Sequence, residues 1–297
     1  VMAAPLLIAG FHYAICGIGV TINTVLLAII VTRTPQNLKC YSILLFSQTL
    51  PQVSTCFTSG ILFTRLIPKD FSLFHVISGP ANLFGSEKIS YYLWCLMLHG
   101  HAHYSIMLAV CFSYRYYVIL HPTPKFFKIV LLVILVYLPT PIIYIWFSQS
   151  TIYDESTARK IMAARGESYI FDEQYTVTGI VNVLEPSAAT AIGWVCAPCL
   201  PAYMVILGVG RAMSQTLSKN VQYMSETTRA SHREIVRGLA FQACLPALYS
   251  FSVASYLLGQ LNLLNHVVLE YAIHMTGEAC VAISPFLTLY YVQPYRR

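Results

Sequence analysis

Apolar residues gather into seven long runs separated by polar connections: Leu6–Val31, Tyr41–Leu66, Ile89–Leu120, Phe127–Phe147, Ser187–Gly210, Ile235–Gln260 and Val267–Tyr291. A helix needs about 20 residues, at 1.5 Å each, to cross the hydrocarbon core of a bilayer. Every run reaches that length, and the pattern predicts an all-α membrane protein built as a seven-helix bundle. The third run, ISYYLWCLMLHGHAHYSIMLAVCFSYRYYVIL, organises the rest. It places His99, His101 and His103 near mid-depth and Arg115 near one end. Such groups are costly against lipid and should face protein or water, which suits a helix at the centre of the bundle.

Composition agrees with that reading. Of 297 residues, 57% are hydrophobic and 10% charged, where a soluble domain carries about 25% charged residues. The nine cysteines fall almost entirely inside apolar runs, and none lies in the polar loop from Ser148 to Glu185. A disulfide framework is therefore not suggested. Cys196 and Cys199 have CxxC spacing but sit in an apolar helix and read as small packing residues. The first apolar run is too long for a signal peptide and lacks a basic leader, so no cleavable signal is expected. No internal repeat is visible, and the chain reads as one domain over residues 1–297.

Orientation follows from lysine and arginine near the run ends. With the N-terminus outside, the inner connections hold Arg33, Lys39, Lys125, Lys128, Arg211, Lys219, Arg229, Arg233, Arg237, Arg296 and Arg297. The outer ones hold Arg65, Lys69 and Lys88, with three more in the long loop where the rule is weak. The N-terminus is expected outside and the C-terminus inside. Proline interrupts five runs, at Pro51, Pro139 and Pro141, Pro198 and Pro201, Pro246, and Pro285. Each removes a backbone donor and favours a kink. The 148–185 loop is expected to fold partly over the outer mouth, and the basic 211–234 connection to let helices five and six run past the membrane.

Two polar patterns carry candidate chemistry. In the seventh run Glu270, His274 and Glu278 recur every four residues and so share a face that must look into the bundle. They are candidate ligand contacts, or else an interhelical hydrogen-bond network. In the third run His99 and His103 share a face while His101 points away. Only that pair could chelate together, and no metal or other cofactor is expected. Counted at 1.5 Å per residue, Glu278 and His99 both lie roughly 15 Å below their helix starts. A pairing of the two as the polar floor of a ligand site, with His274 a turn above and Glu270 near the entrance, is the expectation, and His103 is a further candidate ligand contact. Aromatic residues Tyr91, Tyr92, Trp94, Trp194 and Tyr271 line an apolar pocket or an interfacial belt. Arg115 either snorkels to headgroups or acts as a switch at the inner mouth. The nearest acid for it on another helix is Glu234, beside Arg233 and Arg237 at the inner start of helix six.

The stretch LHGHAHYSIMLAVCFSYRYYVILHPTP and the ending SPFLTLYYVQPYRR resemble nematode serpentine chemoreceptors of the Str superfamily, most closely the delta class (Srd). The resemblance covers nearly the whole chain. It implies a G-protein-coupled receptor that binds a small odorant or soluble chemical outside and signals to a heterotrimeric G protein within. Arg115, Glu234, Arg233 and Arg237 would then serve coupling. It further implies a multi-pass protein of the plasma membrane, in a sensory cilium, with no catalysis and no nucleic-acid partner. A ligand-gated channel or transporter is the alternative, and an intramembrane enzyme stands third. Departures from the rhodopsin-like pattern are plain: Tyr114 rather than an acid precedes Arg115, Ser284 precedes Pro285, and Cys95 finds no cysteine in the following outer loop. The architecture carries over; the details of rhodopsin-like switching do not.

Overall fold

A computed structural model describes residues 3–164, 166, 175–220 and 226–291. Among these residues ten α-helices, α1 (Ala3–Arg33), α2 (Lys39–Leu62), α3 (Glu87–Leu120), α4 (Phe126–Tyr137), α5 (Pro139–Phe147), α6 (Glu155–Ala164), α7 (Pro186–Cys196), α8 (Cys199–Asn220), α9 (Glu226–Gln260) and α10 (Val267–Tyr291), are joined by loops that carry four short strands. Two of the seven runs are split by proline. Pro139 ends α4 after Leu138 and starts α5, and the Ala197–Pro198 step divides α7 from α8. Pro51, Pro246 and Pro285 lie inside continuous helices, where packed neighbours hold the backbone. As the basic connection suggested, α8 reaches Asn220 and α9 starts at Glu226.

Six spans among the described residues are long and apolar enough to cross a membrane. The seventh helix, α2, is more polar, and its Gln48, Thr49, Gln52, Thr55, Thr58 and Ser59 are all buried. It packs between α1 and α3, so those groups meet protein rather than lipid. The third run is the enclosed one: 72% of its apolar core is buried, against 17% for the α4–α5 span. Its close packing on α2 depends on Gly100, where a Cβ would overlap the Thr55 side chain. Large apolar residues such as Phe127, Leu135, Ile145, Leu200 and Met204 stay exposed on the outside of the bundle, which is the surface a lipid solvent requires.

A β-sheet closes one end, and the hydrophobic pattern gave no warning of it. The second run was expected to be helical to Leu66. The helix stops at Leu62 because Phe63 takes a left-handed conformation, φ 39°, and caps it. The chain then forms β1 (Thr64–Lys69) and β2 (Ser72–Ile77), joined by Asp70 and Phe71 at φ 51° and 58°. Two positive φ values in a two-residue loop are the mark of a type I′ hairpin, whose twist matches the strands. The 148–185 loop adds β3 (Ile152–Tyr153), α6 and β4 (Thr176–Ile180), giving an antiparallel sheet in the order β1-β2-β4-β3.

Side chains alternate across this sheet as strand geometry dictates. Ile67, Phe74, Val76 and Val177 point away from the bundle and bury against Ala158 and Met162 of α6. Leu66, Leu73, Ile77 and Ile180 point the other way and join the bundle core around Trp94 and Phe147. The sheet is thus buried on both faces, a layer between α6 and the ends of the spanning helices.

Candidate functional site

Beneath the hairpin lies a small cavity of about 60 Å³. Leu66 and Leu73 of the hairpin form its roof. Trp94, Leu98 and His101 of α3 form one wall, and Tyr249, Ser252 and Tyr256 of α9 face them. The remaining sides come from α7, through Ile192 and Val195, and from α10, through Ile273 and His274. Four spanning helices and the sheet therefore converge on one apolar space with a few polar groups. The lining, apolar with a few placed polar groups, is that of a small-molecule site, and the volume suits a compact ligand.

Hydrogen bonds fix the imidazoles. Trp94 Nε1 donates to His274 Nε2 at 3.1 Å, so the His274 ring carries its proton on Nδ1. His101 Nδ1 lies 3.3 Å from the Met97 carbonyl, an acceptor, which puts the proton on Nδ1 and leaves Nε2 with a free lone pair. That Nε2 is buried and without a partner. The ring has room because residue 277 is glycine: a Cβ there would lie 2.8 Å from His101 Nε2. Above, His75 of β2 packs on Trp94 with ring centroids 4.0 Å apart. Burial, and secondarily His274, pushes the His75 pKa down to about 3, so this imidazole stays neutral.

Of the ligand residues expected from sequence, His274 lines this cavity and the others lie elsewhere. His101, set aside as facing away from the His99–His103 face, is the histidine of α3 that lines it. His99 meets the edges of Tyr137 and Tyr144 beside a more open hollow between α3, α4 and α5. His103 Nε2 lies 3.1 Å from both the hydroxyl and the carbonyl of Ser47 on α2. Glu270 pairs with Arg65 of β1, Nε to Oε2 at 2.5 Å, with both side chains buried. That pair ties the hairpin to the first turn of α10.

Glu278 and His99 do not meet, which corrects the expected polar floor. Glu278 turns away from α3, toward α1 and α2. Its Oε2 is 3.0 Å from His12 Nδ1 and 3.8 Å from Cys16 Sγ, and its Oε1 accepts a hydrogen bond from Ser59. Spacing within a helix fixes which residues share a face, not which neighbouring helix that face meets.

At the other end of α3, Arg115 is held by neutral partners. Its Nε donates to the Tyr41 hydroxyl at 2.7 Å, Nη2 donates to the same oxygen, and Nη1 donates to Gln242 Oε1 at 2.6 Å. The guanidinium also sits over the Tyr41 ring, 5.1 Å from its centroid, and Tyr41 stacks on Tyr114. One residue thus links α3 to α2 and α9. The side chains of Glu234, Arg233 and Arg237 lie outside the described residues.

Sequence reasoning missed Arg65, His75, His12, Cys16, Tyr41 and Gln242 as partners. A histidine followed four residues later by cysteine, on one face of the first apolar run, was a usable signal for His12 and Cys16. Arg65 was hidden because it sits in a strand that read as the end of a helix.

Comparison with known proteins adds to this geometry. A family model described as serpentine type 7TM GPCR chemoreceptor Srd matches residues 8–297. The chain is 28% identical over 290 residues to serpentine receptor class delta-3 of Caenorhabditis elegans, covering 96% of this chain and 84% of that one. It is 26% identical over 287 residues to class delta-1, covering 95% and 77%, and 27% identical over 296 residues to class delta-18, covering 97% and 86%, both from the same organism.

Proposed function

Because the chain belongs to the Srd family of serpentine seven-transmembrane chemoreceptors, we propose that it binds a small molecule in the cavity under the hairpin and passes the signal to a heterotrimeric G protein at the opposite end. The observation that carries the reading is the unpartnered, buried His101 Nε2 in a cavity that α3, α7, α9 and α10 share. A buried acceptor without a donor costs about 1–3 kcal/mol, and a ligand that supplies a donor removes that cost. The favoured ligand is therefore compact and mostly apolar, with one hydroxyl or N–H group. Seated there, it touches α9 and α10 at once and biases their packing against α3.

The excess of basic residues at the Arg115 end supports placing that end in the cytoplasm of a cell whose plasma membrane the bundle crosses. The hairpin end then faces outside, within reach of an external chemical. Arg115 bridges α2, α3 and α9 at the cytoplasmic mouth, where a partner protein would insert and compete for it. Glu234, Arg233 and Arg237, in the first part of α9, are the coupling residues this reading assigns to the same mouth.

The test is a screen of small alcohols, amines and apolar controls on cells expressing the receptor, with calcium readout and with G-protein signalling present or blocked. A response that disappears with the block supports the reading. A ligand-evoked current that survives the block would assign a channel instead.

A further inference from the structure

The knot of side chains around Glu278 is separate from the cavity and has a chemistry of its own. We propose that His12, Cys16 and Glu278 form a binding site for a zinc ion between α1 and α10. Their ligand atoms all lie within 4.8 Å of one another, and all three residues are buried. His12 Nδ1 to Glu278 Oε2 is 3.0 Å, Cys16 Sγ to the same oxygen 3.8 Å, and Cys16 Sγ to His12 Nδ1 4.0 Å. Tetrahedral zinc, with bonds of about 2.0 Å to nitrogen and oxygen and about 2.3 Å to sulfur, spaces such atoms roughly 3.3–3.6 Å apart. Shifts of a few tenths of an ångström bring all three onto one ion.

The surroundings favour that ion. His12 Nε2 lies 3.0 Å from the Ser59 carbonyl and donates to it, while Nδ1 faces the Glu278 carboxylate at 3.0 Å across a proton whose place a metal ion would take. A zinc-bound histidine is oriented in this way, by a carbonyl on its far nitrogen. Ser59 also bonds the second carboxylate oxygen of Glu278 and holds the group in place. Mixed sulfur, nitrogen and oxygen donors suit zinc, whereas magnesium and calcium want oxygen alone.

Charge closes the argument. A divalent ion with one carboxylate and one thiolate makes a cluster of zero net charge, the cheapest form for a buried ionic site in a membrane. Binding releases to solvent the Cys16 thiol proton and the proton held between His12 Nδ1 and Glu278 Oε2. Three protein ligands leave the fourth position to water or an incoming ligand. Phe63 covers the site, with its ring centroid 4.8 Å from that of His12 and 5.4 Å from that of Tyr271. An occupied site would brace α1 against α10.

The test uses the full chain purified in detergent, stripped of metal, then titrated with cobalt(II) and afterwards zinc. One cobalt per chain should appear with a thiolate-to-cobalt charge-transfer band, and zinc should displace it. The band should vanish in Cys16→Ser, weaken in Glu278→Gln, and persist in the double variant Cys196→Ser/Cys199→Ser, which removes the CxxC pair. Size-exclusion profiles check that each variant is folded. If Cys16→Ser does not fold, Glu278→Gln and the double variant decide. No band in the intact chain, a band that survives Cys16→Ser, one unaffected by Glu278→Gln, or one lost with the CxxC pair would overturn the assignment.

Discussion

Replacing Gln242 by Ala should raise the basal activity of the receptor about fivefold. The bond at stake is Arg115 Nη1 to Gln242 Oε1, 2.6 Å, the link of that guanidinium to α9. A hydrogen bond to a charged group contributes about 1.5–3 kcal/mol when buried. Arg115 is only partly buried, so water recovers some of that, and about 1 kcal/mol is the net loss. If the bond exists only in the resting packing, its loss shifts the two-state ratio by a factor of about five, for example from about 1% active to about 5%. Tyr41→Phe should act in the same direction, since it removes the hydroxyl that two guanidinium nitrogens share and keeps the ring beneath them. Arg115→Ala should differ from both: it frees the helices and also removes the group that a G protein would engage, so ligand-evoked signalling should be lost at normal surface expression. The assay is a G-protein reporter without ligand, at matched surface levels. Basal signals in Gln242→Ala equal to wild type would refute the latch. Full signalling by Arg115→Ala would leave that residue as a structural link between α2, α3 and α9 with no part in coupling.

Two further outcomes follow from the sheet end. Arg65→Met or Glu270→Leu alone removes one member of a buried ion pair and should cost about 3–5 kcal/mol, while the double variant should recover most of it; thermal unfolding in detergent measures the cycle, and a double variant as unstable as the singles would contradict it. Gly277→Ala puts a methyl group 2.8 Å from His101 Nε2 and should cost about 1–3 kcal/mol by overpacking, with weaker agonist potency; unchanged potency and stability would place the ring elsewhere.

How much of this the chain announces depends on which interaction decides each feature. Helix existence is a matter of apolar length, and α10 spans the very residues, Val267–Tyr291, that hydropathy marks. The proline breaks in the fourth and fifth spans are likewise local. The sheet is not. TRLIPK pairs with SLFHVI, and SLFHVI pairs in turn with TVTGI about a hundred residues later, while an apolar run of that length reads equally well as a helix end. The site failed for a different reason. Spacing of four puts Glu270, His274 and Glu278 on one face, but the face spans three neighbours. Glu270 reaches the hairpin, His274 the cavity and Glu278 helix α1. Similarly, HxHxH offers opposed faces, and only packing against Gly277 decides that His101 is the one turned inward.

His101 is the residue on which ligand binding most directly depends. Once an agonist with a hydroxyl or N–H group is in hand, its dose–response should be measured on wild type and on His101→Phe, beside a methylated analogue that lacks the donor. Loss of a hydrogen bond to a buried, otherwise unpaired acceptor is worth about 1–3 kcal/mol. Potency of the donor-bearing agonist should therefore fall by roughly 5- to 150-fold in the variant, while the methylated analogue should be weak on wild type and change little. Equal potency of the two compounds on wild type, or an unshifted response in folded, surface-expressed His101→Phe, would contradict the assignment of this cavity as the ligand site.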